Sequence, residues 1–208
     1  RKRNSLKNYW GGYNGVSAVI HLGACSSTTE RDFDYLWNNN VEYSKTLWNY
    51  CTEKQITFLY ASSAATYGSG AQGFDDKSDI ALLEPLNGYG YSKQIFHQWV
   101  ERQMDSPAHY AGFKFFNVYG PNEYCKDSMA IMVFHGYRQI RENGVIRLFQ
   151  SHNPSYKDGG QLRDFVYVKE HMRCTHVHAE PVQRKWAVQC RNWEGAKFPE
   201  AGGGGFPG

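Results

Sequence analysis

Tyr89 and Lys93 lie four residues apart within residues 85–93, PLNGYGYSK. In a helix this spacing places both side chains on the same face. A tyrosine in water has a pKa of about 10, and a nearby ammonium group favours the phenolate and lowers that pKa. The pair could therefore act as a general acid and base near neutral pH. The spacing alone discriminates poorly, because it also occurs by chance as an aromatic ring beside a solvated lysine.

Two apolar segments that end in small hydroxyl residues precede this pair. Residues 17–24, SAVIHLGA, predict a buried strand, and residues 25–30, CSSTTE, suit a loop and a helix cap. Residues 56–61, ITFLYA, predict a second strand, which leads into SSAATYG at residues 62–68. Ligands bind at the C-terminal ends of strands in open α/β sheets, so both hydroxyl-rich segments are candidates to surround Tyr89.

The rest of the chain alternates between helix and strand patterns. Residues 31–54 have apolar residues at helical spacing, although Asn38, Asn39 and Asn40 interrupt them. Three amides favour either solvent exposure or a polar function for at least one of them. The helix that begins near Tyr89 is predicted to run to about Met104. Further predicted elements are a strand with a turn over 111–121, strands over 145–149 and 163–168, and a helix over 128–143. This alternation predicts an α/β fold with a parallel sheet.

The bulk properties exclude several classes of protein. A length of 208 residues suits one domain, or one domain with a small lobe, and the net charge of +3 is too small to indicate nucleic-acid binding. No apolar run approaches the roughly 18 residues of a membrane span, and no signal peptide opens the chain. The five cysteines form no CxxC pair, which predicts reduced thiols in a cytoplasmic protein and no metal site.

Several of these motifs, taken in order, resemble a known family. Residues 21–24 (HLGA), 62–68 (SSAATYG), Tyr89 with Lys93, and 116–121 (FNVYGP) resemble the extended short-chain dehydrogenase/reductases of the NAD-dependent epimerase/dehydratase family that act on nucleotide sugars. Residues 23–30 (GACSSTTE), 126–130 (KDSMA) and 163–168 (RDFVYV) narrow the resemblance to the ADP-glyceromanno-heptose 6-epimerases. The resemblance covers about residues 18–169.

The resemblance implies a Rossmann-like parallel sheet flanked by helices, with a C-terminal substrate lobe. It also implies epimerisation at C6″ of an ADP-heptose of the lipopolysaccharide core, by oxidation and re-reduction with NADP, or NAD, in a homo-oligomer. Tyr89 and Lys126 would be the acid/base groups, one for each face of the sugar carbon. Lys93 would lower the pKa of Tyr89 and bind the nicotinamide ribose, and Ser63 would hydrogen-bond the reacting oxygen.

The resemblance also implies binding residues. The cofactor would contact Leu22, Gly23, Ala24, Cys25, Ser26, Asn39, Lys93, Val118 and Lys126. The ADP-sugar would contact Asn117, Ser128, His135, Phe149, Gln150, Ser151, His152 and Arg163. Arginine suits a diphosphate because its guanidinium donates two hydrogen bonds at once. Without the resemblance, Lys126 would be a surface lysine, His135 a packed or exposed histidine and Ser63 a serine at a strand end.

The chain departs from the family pattern at its start. No G-x-x-G-x-x-G turn precedes Val19, since Gly11, Gly12 and Gly15 neither follow a strand nor open a helix. The residue that selects NAD or NADP is missing with it, so NADP is implied by the resemblance alone. We therefore expect a truncated cofactor domain.

A second departure follows Lys169, where the family pattern stops. A one-base shift through residues 188–194, VQCRNWE, can produce YNVGTG, a phrase of the family. We therefore expect residues 1–15 to be a poorly defined leader, 16–125 the remaining cofactor domain, 126–169 a partial substrate-binding region and 170–208 a frameshifted or disordered tail. Both departures predict little or no activity for the 208-residue chain.

Two alternatives remain open at this stage. The chain could belong to another nucleotide-sugar epimerase or dehydratase, although a dehydratase would carry an Asp-Glu pair within residues 62–67, where this chain has SSAATY. It could also be a non-catalytic fragment that binds nucleotide weakly or not at all. Absorbance from a co-purified nicotinamide cofactor would separate an enzyme from such a fragment.

Overall fold

The computed structural model describes residues 15–124, 126, 130–151, 154, 156–160, 164–179 and 186–190. The described residues belong to two compact units. The first comprises Arg1–Lys114 and Thr175–Gln189, and the second comprises Phe115–Cys174 and Cys190–Gly208. The sequence-based boundary at residue 126, between a cofactor domain and a substrate-binding region, stays a prediction.

A four-stranded sheet forms the centre of the first unit. Its strands are β1 (Ala18–His21), β2 (Thr57–Ser63), β3 (Tyr110–Phe115) and β6 (Trp186–Cys190), in the spatial order β1-β2-β3-β6. Strands β1 and β2 are parallel, with Ala18 opposite Thr57 and His21 opposite Tyr60. Helical segments connect β1 to β2, which is the crossover that parallel neighbours require, and β2 to β3. The predicted Rossmann-like α/β fold is confirmed.

The helix between β1 and β2 contains a wide turn. It begins as α1 (Phe33–Leu36), passes through a π-helical turn at Trp37–Glu42 and continues as α2 (Tyr43–Lys54). Asp32 caps its start by accepting a hydrogen bond from the Tyr35 backbone N–H at 2.9 Å. The predicted helix over residues 31–54 is therefore confirmed, and the three asparagines lie in its π turn.

The helix that carries Tyr89 and Lys93 is α3, Gly88–Glu101. Asn87 caps it by accepting a hydrogen bond from the Gly90 backbone N–H at 2.8 Å, and it ends short of the predicted Met104. Its buried face packs against α2 and β2 in one apolar core, which includes Trp48, Phe58, Tyr60, Phe96 and Val100. Burial of each large apolar side chain stabilises this arrangement by about 1.5–3 kcal/mol.

The second unit contains a two-stranded parallel sheet. Strands β4 (Asn117–Tyr119) and β5 (Phe165–Tyr167) pair with Asn117 opposite Phe165. Over residues 111–121, where the sequence predicts a strand with a turn, the chain forms two strands, β3 and β4, with a break at Phe116. Helix α4, Met132–Asn143, ends at Gly144, which adopts the left-handed conformation that favours glycine.

The strand predicted over residues 145–149 is wrong. These residues are mostly exposed, and their backbone hydrogen bonds are not made to any described strand. The Arg147 N–H donates to Gln139 Oε1 at 2.7 Å, and the Phe149 carbonyl accepts from the Gly159 N–H at 2.9 Å. None of the described strands includes these residues.

Regular structure continues past the point where the family pattern ends. Helix α5 spans Val168–Ala179, and β6 joins the sheet of the first unit beyond it. His171 and Thr175 are both buried and lie four residues apart, which gives α5 a buried side. The described parts of residues 170–190 thus include helix and strand, and the frameshifted or disordered tail expected over residues 170–208 stays a prediction. No described helix is long and apolar enough to cross a membrane.

Candidate active site

Ser63, Tyr89 and Lys93 come together at the end of β2 in the first unit. A side-chain hydrogen bond joins Ser63 to the Tyr89 phenol. Lys93 Nζ lies 5.9 Å from the centroid of the Tyr89 ring. The structure thus groups three of the four residues for which the sequence suggested catalytic roles. A hydroxyl donor, a phenol and an ammonium group within one cluster can bind an oxygen and transfer a proton to it.

Lys93 is held with its ammonium group inside the protein. The side chain is 5% exposed, and Nζ donates a hydrogen bond to the Ala61 carbonyl at 2.9 Å. Burial lowers the pKa of Lys93 to about 8, because the charged form loses its hydration. An ammonium group has three N–H donors. With this one hydrogen bond among the described residues, Lys93 keeps donors for the hydroxyls of a bound molecule.

The pKa of Tyr89 departs from expectation. Burial raises it, the hydrogen bond with Ser63 lowers it in part, and the Cys25 thiol raises it further. The sequence suggested that Lys93 would lower this pKa, but the Lys93 ammonium group bonds to the Ala61 carbonyl instead. Tyr89 is therefore a neutral phenol at physiological pH and is poised to donate a proton.

Asn40 connects the loop after β1 to the helix of Tyr89. Its Oδ1 accepts from the Cys25 N–H at 2.8 Å, and its Nδ2 donates to the Cys25 carbonyl at 3.0 Å. The same Nδ2 donates to Ser92 Oγ at 2.9 Å, and Ser92 Oγ donates to the Tyr89 carbonyl at 2.7 Å. Asn40 is fully buried. One amide therefore fixes both a loop and the helix that carries Tyr89.

His21 extends this network behind the site. Ser44 Oγ donates its proton to the Asn40 carbonyl at 2.7 Å, so it must accept at its 2.9 Å contact with His21 Nε2. This assigns the proton of the imidazole to Nε2. Burial lowers the pKa of His21 to about 4, and the nearby Lys93 charge lowers it as well. His21 is therefore neutral at physiological pH.

The proposed cofactor residues of the first unit lie around this network. Leu22, Gly23, Ala24, Cys25 and Ser26 form the loop that follows β1. A side chain at Gly23 would meet nothing within 4 Å, so this loop leaves open space beside it. Asn39 is half-buried and donates from Nδ2 to the Tyr35 carbonyl at 2.7 Å.

Asn40 was not singled out from the sequence. The signal was the run of three amides inside a predicted helix, which indicated a polar function but not which residue performs it. The π turn decides this, since it leaves Asn38 exposed and Asn39 half-buried while burying Asn40. Wide turns of this kind occur often at functional sites.

The remaining predicted residues belong to the second unit. Asn117 Nδ2 donates to the Asp164 carbonyl at 2.9 Å, and Val118 lies in β4 beside it. Lys126 is exposed, and its N–H donates to the Glu123 carbonyl at 3.0 Å. His135 lies half-buried on α4, and Phe149, Gln150 and Ser151 lie in the segment after it. Ser128, His152 and Arg163 lie outside the described residues.

The first-unit cluster fits a ligand that carries hydroxyl groups. Lys93 retains N–H donors, and Ser62 Oγ is buried without a hydrogen-bond partner among the described residues. Both groups lie at the C-terminal end of β2, where α/β sheets bind nucleotides and sugars. Among the described residues, no group of three His, Cys, Asp or Glu side chains could hold a metal ion.

Comparisons with known proteins agree with this architecture. The sequence profile of the NAD dependent epimerase/dehydratase family matches residues 1–188. The chain is 55% identical over 160 residues to ADP-L-glycero-D-manno-heptose-6-epimerase of Fusobacterium nucleatum, covering 76% of this chain and 48% of the relative. It is 54% identical over 158 residues to the enzyme of the same name from Nitratidesulfovibrio vulgaris, covering 74% and 48%.

A solved structure gives the same fold. The crystal structure of ADP-L-glycero-D-manno-heptose-6-epimerase from Helicobacter pylori has a TM-score of 0.77 and 24% sequence identity, covering 93% of this chain and 59% of that chain. The chain spans about half the length of the curated relatives it matches.

Proposed function

Because the chain belongs to the NAD dependent epimerase/dehydratase family, we propose that its site serves the epimerisation of ADP-glycero-manno-heptose at C6″. The observation that carries this proposal is the cluster of Ser63, Tyr89 and Lys93, which combines a hydroxyl donor, a neutral phenol and a buried ammonium group. The name shared by relatives at 54–55% identity supports the choice of substrate.

The cofactor of the proposed reaction is NADP, with NAD as the alternative. The residues that we propose to hold it are residues 22–26, Asn39, Lys93, Val118 and Lys126. A bound nicotinamide would accept a hydride from the sugar carbon and return it to the opposite face. The donors that remain on Lys93 suit the hydroxyls of the nicotinamide ribose.

Side chains of the protein carry out the proton transfer. Ser63 orients the 6″ oxygen, and Tyr89 exchanges the proton of that oxygen on one face of the carbon. The two epimers present this oxygen on opposite faces, so a second group is needed, and we assign that role to Lys126. Asn117, Ser128, His135, Phe149, Gln150, Ser151, His152 and Arg163 would hold the ADP-sugar. The enzyme would work as a cytoplasmic homo-oligomer that supplies heptose for lipopolysaccharide.

The test is conversion of one ADP-heptose epimer into the other by the 208-residue chain, with NADP or NAD added, in deuterated water. We expect slow conversion without deuterium at C6″, because the hydride would remain on the cofactor. Tyr89→Phe should reduce the rate by about 10²–10⁴-fold, the range typical of a lost acid/base group. Tyr91→Phe, an exposed tyrosine on the same helix, is the matched control.

Each other result contradicts part of the proposal. Deuterium at C6″ would indicate proton abstraction from carbon instead of hydride transfer. Equal rates of conversion for the unchanged chain and Tyr89→Phe would show that Tyr89 takes no part in proton transfer. No conversion, together with no binding of either nucleotide, would favour a non-catalytic fragment.

A further inference from the structure

Lys114 is a lysine that lies inside the first unit and that has no role in the proposed function. It belongs to β3, the strand next to β2, and its side chain is 1% exposed. Its Nζ lies 4.2 Å from the centroid of the Tyr67 ring, a short distance for a cation over an aromatic face. Buried ammonium groups lose their hydration, and attraction to the face of the Tyr67 ring offsets part of that cost.

Tyr67 closes the turn that contains Ser63. The 3₁₀ turn Ala64–Tyr67 begins at Ser63, whose Oγ accepts from the Ala65 N–H at 3.1 Å. Thr66 Oγ1 donates back to the Ser63 carbonyl at 2.8 Å. The Tyr67 ring is 2% exposed. The position of the Tyr67 ring and that of the Ser63 hydroxyl are therefore set by the same short, internally bonded turn.

This turn also packs closely against α3. A side-chain carbon added at Gly90 would lie 2.7 Å from the Ala65 carbonyl oxygen. The turn is thus confined by the Tyr89 helix on one side, while the Lys114 ammonium group contacts the ring at its end. A shift of the turn away from α3 would separate Ser63 Oγ from the Tyr89 phenol.

We propose that Lys114 is a positioning residue, which holds the Tyr67 ring so that the Ser63 hydroxyl stays hydrogen-bonded to Tyr89. Its importance for turnover rests on the proposed function, whereas its effect on the Ser63–Tyr89 contact does not. An uncharged side chain of similar length would fill the space but would not attract the face of the ring. Arginine would keep the cation and its attraction to the ring.

The test is NMR of the full chain labelled with ¹³Cζ-tyrosine, with the Tyr89 signal assigned through Tyr89→Phe. Ser63→Ala defines the chemical shift of Tyr89 without its hydrogen bond. We expect Lys114→Met to move the Tyr89 signal to that position, and Lys114→Arg to leave it as in the unchanged chain. The double variant Lys114→Met with Ser63→Ala should show no additional change.

Stability provides the second readout. Lys114→Met removes a buried charge, so its melting temperature should equal or exceed that of the unchanged chain, which separates lost positioning from lost folding. Tyr67→Leu removes the ring from the other side of the contact and should also move the Tyr89 signal. Unchanged Tyr89 signals in Lys114→Met and Tyr67→Leu would overturn the proposal.

The proposed function is judged by a different measurement. The NMR test needs no substrate, so a chain without epimerase activity would count against the proposed function and leave the role of Lys114 to be decided by the spectra. Where turnover is measured, Lys114→Met should lower kcat about tenfold and leave KM within about threefold, and Lys114→Arg should restore most of kcat. An unchanged kcat with a raised KM would contradict positioning of Ser63.

Discussion

Each hydrogen-bonding atom of the Asn40 amide has an assigned role. Its oxygen faces the N–H of Cys25, and its nitrogen faces the carbonyl of Cys25 and the hydroxyl of Ser92. Ser92 already donates its proton to the Tyr89 carbonyl, so it must accept from Asn40. The orientation of this side chain is thus fixed by its partners. Aspartate, which is nearly isosteric, lacks the N–H donors and would bring a charge into a fully buried position.

Asn40→Asp should therefore destabilise the protein by about 2 kcal/mol or more, since each unsatisfied buried polar group costs about 1–3 kcal/mol. The measurement is the free energy of unfolding from urea denaturation at pH 7. Asn38→Asp is the control, because Asn38 is exposed on the same turn, and it should change stability by less than about 0.5 kcal/mol. Equal stabilities for the two variants would show that the Asn40 amide does not hold the loop in place.

At the scale of the elements, the site depends on close contact between α3 and the turn after β2. Gly90 makes this contact possible because an added Cβ would lie 2.7 Å from the Ala65 carbonyl oxygen and 2.9 Å from Pro85 Cβ. The opposing oxygen belongs to the backbone and cannot rotate away. Gly136 in α4 is the useful comparison, since its Cβ would meet the flexible end of Ile146 at 2.6 Å.

Gly90→Ala should destabilise the fold by about 1–3 kcal/mol, as overpacking does. Gly136→Ala should be neutral or stabilising by up to about 1 kcal/mol, because alanine is the better helix former and the Ile146 side chain can move. Thermal unfolding of both variants measures the difference. A more stable Gly90→Ala would show that helix and turn separate at little cost.

The sequence predicts most elements of the first unit but not how they meet. Residues 17–24 and 56–61 had the composition of buried strands, and β1 and β2 lie there. The Tyr89–Lys93 spacing likewise predicted a shared helix face. The direction of the Tyr89 pKa could not be derived, because it depends on the burial of the phenol and on where the Lys93 ammonium group bonds. Residues 145–149 had strand-like composition, yet a strand also needs a partner, and composition does not provide one.

At the scale of the whole molecule, buried ionisable groups determine how stability depends on pH. His21 and His171 have pKa values lowered from 6.5 to about 4, so the unfolded chain binds more protons between these values and stability rises with pH there. Lys93 and Lys114 have pKa values lowered from 10.5 to about 8. The unfolded chain binds more protons between these values too, so stability rises a second time above pH 8.

Groups with raised pKa values limit this rise in stability at higher pH. Burial raises the pKa of Cys51 from 9.0 to about 12, and it also raises the pKa values of Tyr60, Tyr89 and Tyr110. In the unfolded chain these groups lose protons near pH 9 and 10, while in the folded chain they keep them, so stability falls with pH there.

Maximum stability should therefore lie between about pH 8 and 10, with a free energy of unfolding on the order of 2 kcal/mol higher at pH 9 than at pH 7. Urea denaturation across pH 5–11 measures this profile. The double variant Lys93→Met with Lys114→Met should lack the rise between pH 7 and 9. A maximum below pH 7 in the unchanged chain would mean that the two lysines are hydrated in solution.

The π turn has a consequence for how this sequence can change length. Its hydrogen bonds span five residues where those of α1 and α2 span four, so the helix contains one residue more than a regular helix would need. Deleting Asn39 would convert the turn to regular helix and keep Trp48 and Cys51 in the core. Deleting Asn49 in α2 would instead rotate the remainder of that helix by about 100° and turn Cys51 out of the core. The first deletion should yield a folded chain by circular dichroism and the second should not, so this turn is where a gap of one codon between relatives can be accommodated.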